Sequence, residues 1–414
     1  MKTVLLKSRA ASAGGLEKHA ERIAHALLER GDEVTLLTTG EASAINKGGK
    51  KVTICASEAK PDQSEAVRVS GANSRTIGPR ERIDMAQPQQ ADCHLFTALV
   101  NNPLLSIIST YTSPWPSFLK MEQFDRFTQN YLKKNKADLV IGMDRTREQT
   151  HIRAGNGVHA AYLKSRIACE GKFKYFLCQI NPMHRKILEI EKEAFENPKL
   201  KKIIANSHMV KREILEHYKV EPSKIEVIHN GVEWHEMASD FAHWEEKRDR
   251  FHFLFIGNGY MRKGLDSLLE ALPRLSCKDA FLSVVGKDKN IDFYRKKVKQ
   301  LGLENRVEFF GPQKEILPFY KKADALVIPS FYDPFANVTV EALAMGLFVV
   351  SSKTNGGSEA LTKTNGVVVK DSLIDALETA LKKPKTKERA SQIRESVKHL
   401  DFSNQMRLFL EACE

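Results

Sequence analysis

A short apolar run, a loop of small residues, an amphipathic helix and a second apolar run open this chain, and that order constrains its fold more than any other feature. Residues 3–8 read as a buried strand, and residues 9–15 (R-A-A-S-A-G-G) form a small-residue loop. From Leu16 the apolar positions Leu16, Ala20, Ile23, Ala24, Leu27 and Leu28 fall on one helical face. Arg30-Gly31 supplies a cation in the last turn and a glycine stop, and residues 33–39 (E-V-T-L-L-T-T) return as a strand. For two strands joined through a helix the expectation is a parallel sheet with a right-handed crossover.

The same alternation recurs downstream. Strands are expected at 137–142, 201–206 and 225–229, with helices at 118–134, 183–195 and 208–218 between them. A second series begins at residues 251–257 and continues with strands at 280–286, 307–311, 325–330, 348–352 and 366–370. The expectation is an α/β chain of two doubly wound Rossmann-like domains facing across a cleft. The first spans 1–234 and the second 235–390, with a helical segment at 391–414 packing back towards the first. At 414 residues the chain is long enough for both. Residues 41–112 show little periodicity and read as an insertion or mobile segment.

Chemistry concentrates at strand-to-helix junctions, which is where open α/β sheets bind ligands. Gly14-Gly15 lets an anion approach a helix N-terminus; the alternative is a tight turn alone. The full G-x-G-x-x-G fingerprint is absent, which argues against a nicotinamide enzyme. Asp144 and His159 follow the strand at 137–142, with His151 and Arg153 nearby, and form a candidate acceptor-side wall. In the second half, G-N-G-Y-M-R-K-G (257–264) places Arg262 and Lys263 at a junction. An arginine fork and a lysine point charge there suit a diphosphate; the alternative is two solvated cations. Asp333 and Glu341 lie eight positions apart across the turn S-F-Y-D-P-F-A-N-V-T-V-E (330–341), which leads into a helix. This turn reads as the wall that holds the sugar and ribose ends of a nucleotide sugar.

With these pieces in place the chain resembles glycosyltransferase family 4, the group 1 glycosyltransferases of GT-B fold. The openings G-G-L-E-K-H-A-E-R-I-A and G-N-G-Y-M-R-K-G-L-D-S-L-L-E-A-L are similar to the subgroup that adds hexose to the lipopolysaccharide core. The resemblance covers both domains except about residues 41–112. It implies that Arg262 and Lys263 neutralise the diphosphate, that Asp333 accepts hydrogen bonds from the donor sugar and Glu341 from the ribose. It also implies that the Asn337 and Val338 amides face the distal phosphate, that Gly15 makes room for the donor, and that the base lies near Gly286-Lys287 and Phe310-Gly311. Family members carry Glu-x7-Glu; here the first acid is Asp333, one methylene shorter and followed by Pro334.

The resulting expectation is a retaining transferase moving a hexose from a nucleotide diphosphate sugar to a lipid-linked or lipopolysaccharide core acceptor. The alternatives are a non-catalytic nucleotide-sugar binder and an enzyme of other chemistry on this fold, such as a sugar-nucleotide epimerase. No cofactor or metal is expected, since there is no tight D-x-D pair. The 64 Lys+Arg against 52 Asp+Glu give a net charge of +12, which suits an anionic partner and adds an anionic membrane surface to the expected ones. No nucleic-acid partner is expected. The six cysteines form no C-x-x-C pair and read as reduced thiols, and no run approaches a spanning helix. The expected location is cytoplasmic, peripheral at the inner membrane.

Overall fold

The computed structural model describes residues 1–9, 15–39, 99, 102–110, 112, 117–244 and 249–414. Seven strands form the first sheet: β1 (Lys2–Arg9), β2 (Glu33–Thr39), β3 (Leu105–Thr110), β4 (Leu139–Gly142), β5 (His151–Ala154), β6 (Lys202–Ala205) and β7 (Ile225–Val227). Six form the second: β8 (His252–Ile256), β9 (Phe281–Val285), β10 (Val307–Gly311), β11 (Ala325–Ile328), β12 (Phe348–Ser352) and β13 (Gly366–Val369). Their orders are β3-β2-β1-β4-β5-β6-β7 and β10-β9-β8-β11-β12-β13, and adjacent strands pair in parallel, as β1 with β4 and β8 with β11 do. Helices cover both faces, so central strands such as β4 and β11 are buried along their whole length.

Both sheets reverse their winding once, at β1/β4 in the first and at β8/β11 in the second. Connections leave the two strands of each pair in opposite directions and open a crevice at their carboxyl ends. The chain's last helix, Phe402–Glu411, starts beyond the second sheet. Its Met406 and Phe409 nevertheless pack with Leu5, Ile23 and Leu27 in the core of the first. Asp401 caps that helix by accepting from Ser403 N, and Val232 N and Leu400 O join the two segments at 2.9 Å.

Among the described residues, several elements depart from the sequence reading. β5, H-I-R-A, is a fully buried strand although half its residues are polar. Burial is tolerated because each polar side chain is bonded: His151 Nδ1 meets Thr150 Oγ1 at 2.9 Å, and Arg153 Nη2 donates to Asn230 Oδ1 at 2.8 Å. His151 and Arg153 are therefore buried members of the sheet, and Arg153 still borders a cavity that Asp144 also lines. β3 lies inside the stretch read as an insertion, hydrogen-bonded along β2 from Leu105 to Thr110. A long helix, His159–Ile180, occupies residues for which no helix was expected and kinks at Gly171 (φ 83°). Among the described residues, no helix is long and apolar enough to cross a membrane, and Cys178, Cys277 and Cys413 are free thiols.

Candidate functional site

The second crevice collects the charged residues. After β8 the chain turns through a single helical turn, Tyr260–Lys263, and leaves it at Gly264 in the left-handed region (φ 80°). A Cβ at Gly264 would lie 2.1 Å from the carbonyl oxygen of Pro329. Only glycine permits both that φ and that approach, so the loop after β8 rests directly on the end of β11. Phe331 N donates to Arg262 O at 2.9 Å across the same contact. Tyr260, fully buried, anchors the other side through its hydroxyl to Gly286 O at 2.9 Å.

This packing brings Arg262, Lys263 and Asp333 together. Lys263 Nζ donates to Asp333 Oδ2, and Arg262 Nη1 donates to the same oxygen at 3.1 Å and to Tyr332 O at 2.9 Å. Asp333 Oδ1 accepts from Phe335 N at 3.2 Å. The Asp333 and Lys263 side chains are each 10% exposed, whereas Arg262 is 37% exposed and reaches towards solvent. Burial alone would push the Asp333 carboxyl up, but Lys263 and Arg262 outweigh it and hold it below the ordinary carboxylate range.

Asn355, fully buried, braces the turn from beneath. Its Oδ1 accepts from Ala336 N and Gly357 N, both at 3.0 Å, and its Nδ2 donates to Ser351 Oγ at 2.9 Å and Thr339 Oγ1 at 3.1 Å. The helix Asn337–Ala344 starts there without a side-chain cap of its own. Asn337 Oδ1 accepts from Asn230 Nδ2 of the first domain at 2.6 Å, and Val338 packs on the second core. Glu341 Oε2 accepts from the buried Tyr320 hydroxyl at 2.8 Å. Gly286, Lys287 and Gly311 gather beside this loop: Gly286 N donates to Gly311 O at 2.9 Å, and Lys287 N to Asn258 Oδ1 at 2.9 Å. Phe310 stacks edge-on against Phe319.

The first crevice is more tightly tied. Gly15 begins the helix Gly15–Glu29, and Gly14 lies outside the described residues. Asp144 accepts from Ser8 N and Ser8 Oγ, both at 2.8 Å, and pairs with Lys7 Nζ at 3.2 Å. It staples β4 to β1 at the point where the winding reverses. His159 is buried at a helix start, its N–H donating to Glu191 Oε2 at 2.8 Å and its Nε2 lying 3.0 Å from His184 Nδ1. Burial, with Arg145, His184 and Arg166 adding repulsion, lowers its pKa to about 3. A neutral imidazole of that kind can hydrogen-bond a hydroxyl but takes up protons poorly.

Residues that sequence reasoning passed over join the two halves. Tyr332, 5% exposed, accepts from Val158 N at 3.0 Å and donates to Glu213 Oε2 at 2.9 Å. Ser207 Oγ donates to Pro334 O at 2.9 Å. Glu359 accepts from His208 N and Met209 N, both at 2.8 Å, so a side chain of the second domain caps a helix of the first. The signals were present in S-F-Y-D and N-G-G-S-E, but their partners lie over a hundred positions away.

Comparison with known proteins identifies the family and the fold. An uncharacterised glycosyltransferase of Methanocaldococcus jannaschii is 32% identical over 181 residues, covering 40% of this chain and 46% of that protein. The lipopolysaccharide glucosyltransferase WaaG of Escherichia coli is 24% identical over 260 residues, covering 60% of this chain and 67% of that one. The crystal structure of WaaG superposes with a TM-score of 0.71 at 20% identity over 99% of both chains. HepE of Anabaena, solved with UDP and glucose, superposes at 0.62 with 16% identity over 99% of this chain and 98% of that one. The model of Glycosyltransferase Family 4 matches residues 13–235 and that of Glycosyl transferases group 1 residues 236–398. The chain belongs to the family 4, group 1 glycosyltransferases of GT-B fold.

Proposed function

We propose that this protein is a retaining glycosyltransferase that moves a hexose from a nucleotide diphosphate sugar to a lipid-linked or lipopolysaccharide core acceptor. The observation that carries the reading is the convergence of Arg262 and Lys263 on Asp333 at the switch point of the second sheet. Two cations held in a partly dry crevice suit a diphosphate, because their attraction to it is stronger there than in water. The names of the similar proteins point the same way: WaaG is a lipopolysaccharide glucosyltransferase, and HepE was solved with UDP and glucose.

In this reading Arg262 and Lys263 take the diphosphate, and the Asn337 and Val338 amides face its distal phosphate, where the helix end adds about 0.3–1 kcal/mol. Asp333 takes the sugar hydroxyls, Glu341 the ribose, and the base lies against Gly286, Lys287, Phe310 and Gly311. Gly15 leaves room on the facing side, and Asp144 and His159 border the acceptor. As the bond from the anomeric carbon to the diphosphate oxygen breaks, its electron pair leaves on the phosphate, whose charge the two cations hold. The acceptor oxygen bonds to that carbon, and its proton passes to the leaving phosphate. The net charge of +12 supports docking at an anionic membrane surface, where a lipid-linked acceptor would be presented.

One observation favours a second reading, donor binding without transfer: Arg262 and Lys263 both pair with Asp333, which offsets part of the positive charge a departing diphosphate would draw on. The deciding experiment screens nucleotide diphosphate sugars by thermal shift and then assays the stabilising one for nucleotide release, with and without glycan acceptors. Release that rises with acceptor supports transfer. Stabilisation without release would leave a binding protein.

A further inference from the structure

Where the two domains meet, three side chains that the transfer reaction does not use point at one another. His208 opens the helix His208–His217, His229 follows β7, and Glu359 belongs to the loop after β12. Each offers one ligand atom, and these atoms lie within 4.8 Å of one another. His229 Nε2 is 3.0 Å from Glu359 Oε2, and the two imidazoles are 6.1 Å apart in an edge-on arrangement.

We propose that this cluster is a binding site for a divalent transition-metal ion of the zinc class, shared between the domains. Two imidazoles and a carboxylate make a borderline-soft N₂O set, which suits zinc or cobalt and not calcium or magnesium. Donor atoms of one tetrahedral ion are separated by about 3–4 Å, given metal–ligand distances of about 2.0–2.2 Å. The cluster needs only small side-chain rotations to meet that. His208 is exposed and His229 and Glu359 are half-buried, so the fourth position faces water.

The carboxylate is already oriented for the task. Glu359 Oε1 accepts from Met209 N and Oε2 from His208 N, which fixes its plane with backbone bonds. A carboxylate has about four lone-pair sites. When His229 Nε2 gives its lone pair to the ion instead of a proton to Glu359, one site on Oε2 turns to the ion and both backbone bonds remain. Such outer bonds are what hold metal ligands in place. Because the two imidazoles belong to the first domain and the carboxylate to the second, the ion would bind only the arrangement in which the domains meet.

The test uses the tag-free full chain, stripped with chelator and titrated with Co²⁺, then with competing Zn²⁺. The wild type is expected to take up one equivalent of Co²⁺ with the visible absorption of a four-coordinate site, lost on adding Zn²⁺. Zinc is expected to raise its melting temperature, as a ligand confined to the native state does. His208→Ala removes an exposed ligand while both backbone bonds to Glu359 persist, and it should weaken Co²⁺ binding by at least about tenfold and abolish the zinc-dependent shift. His184→Ala disrupts the other histidine pair, His159–His184, and should bind as the wild type does. No visible band in the wild type, or equal affinity in His208→Ala, would overturn the proposal.

Discussion

Lys263 and Asp333, seventy positions apart in the chain, share a buried ion pair at the point where the second sheet reverses its winding. The lysine approaches on the loop after β8 and the aspartate on the loop after β11. The loops are held together by the close Gly264–Pro329 approach and by the Phe331 N–Arg262 O bond. The pair links the stability of the crevice to its chemistry.

Lys263→Ala should therefore lose both. It leaves a buried carboxylate with Arg262 alone, and breaking such a pair from one side destabilises by about 3–5 kcal/mol. Asp333→Asn in the same background should recover most of that, since an amide needs no counter-charge. Donor turnover should fall at least about 10²-fold in both, the scale expected for losing a group that stabilises developing charge. Urea denaturation and nucleotide release are the two measurements. Near-normal turnover in Lys263→Ala would remove the diphosphate role.

Gly264→Ala places a methyl group against a backbone carbonyl at a φ that alanine resists. The left-handed conformation alone costs about 1–2 kcal/mol, and neither backbone segment can yield without moving Arg262. We expect a lower melting temperature together with weaker donor affinity. Gly259→Ala shares a positive φ (75°), but its added methyl meets nothing within 4 Å. It should lose stability by the conformational amount alone, and donor titration of the two variants checks the difference.

Glu213 should make stability depend on pH. Burial raises its carboxyl to about 7 from an ordinary 4.5, against the lowering effect of Tyr332, with Glu216 adding to the rise. Between those values the folded protein holds a proton that the unfolded chain has released, so stability should fall as pH rises from about 4.5 to 7. Glu213→Gln should flatten that part of the profile. Equal slopes in the two proteins, measured by urea unfolding across the window, would assign the dependence elsewhere.

Turnover should survive chelation. In the proposed function Arg262 and Lys263 would supply the positive charge that a divalent ion would otherwise bring to a diphosphate, and the histidine cluster at the domain seam has no part in that role. An EDTA-treated sample should keep its rate of nucleotide release. Loss of activity restored by Mg²⁺ or Mn²⁺ would show that the two cations are insufficient.

Much of the architecture was legible because apolar periodicity is a local property. The run 325–330 needs burial on both faces, and the helix beginning at Leu16 needs one buried stripe, so a wound parallel sheet follows from the residues themselves. Arg262-Lys263 and Asp333 were legible as candidates because they follow strand ends, and the structure brings their side chains together. β5 was not: in H-I-R-A the two polar residues hide the strand, and only Thr150 and the distant Asn230 explain why they can be buried. The helix His159–Ile180 was obscured by weak amphipathic patterning and by Gly171 within it.

What the sequence determined by itself was therefore the alternation of strands and helices, the α/β class and the motifs that resemble a glycosyltransferase family. What only the tertiary structure decided was pairing: Asp333 with Lys263, Tyr332 with Glu213, Glu359 with the amides of residues 208 and 209. Periodicity records how a residue stands towards its own element, whereas a hydrogen bond or ion pair depends on two elements meeting at about 3 Å. That distance is set by the packing of the whole chain.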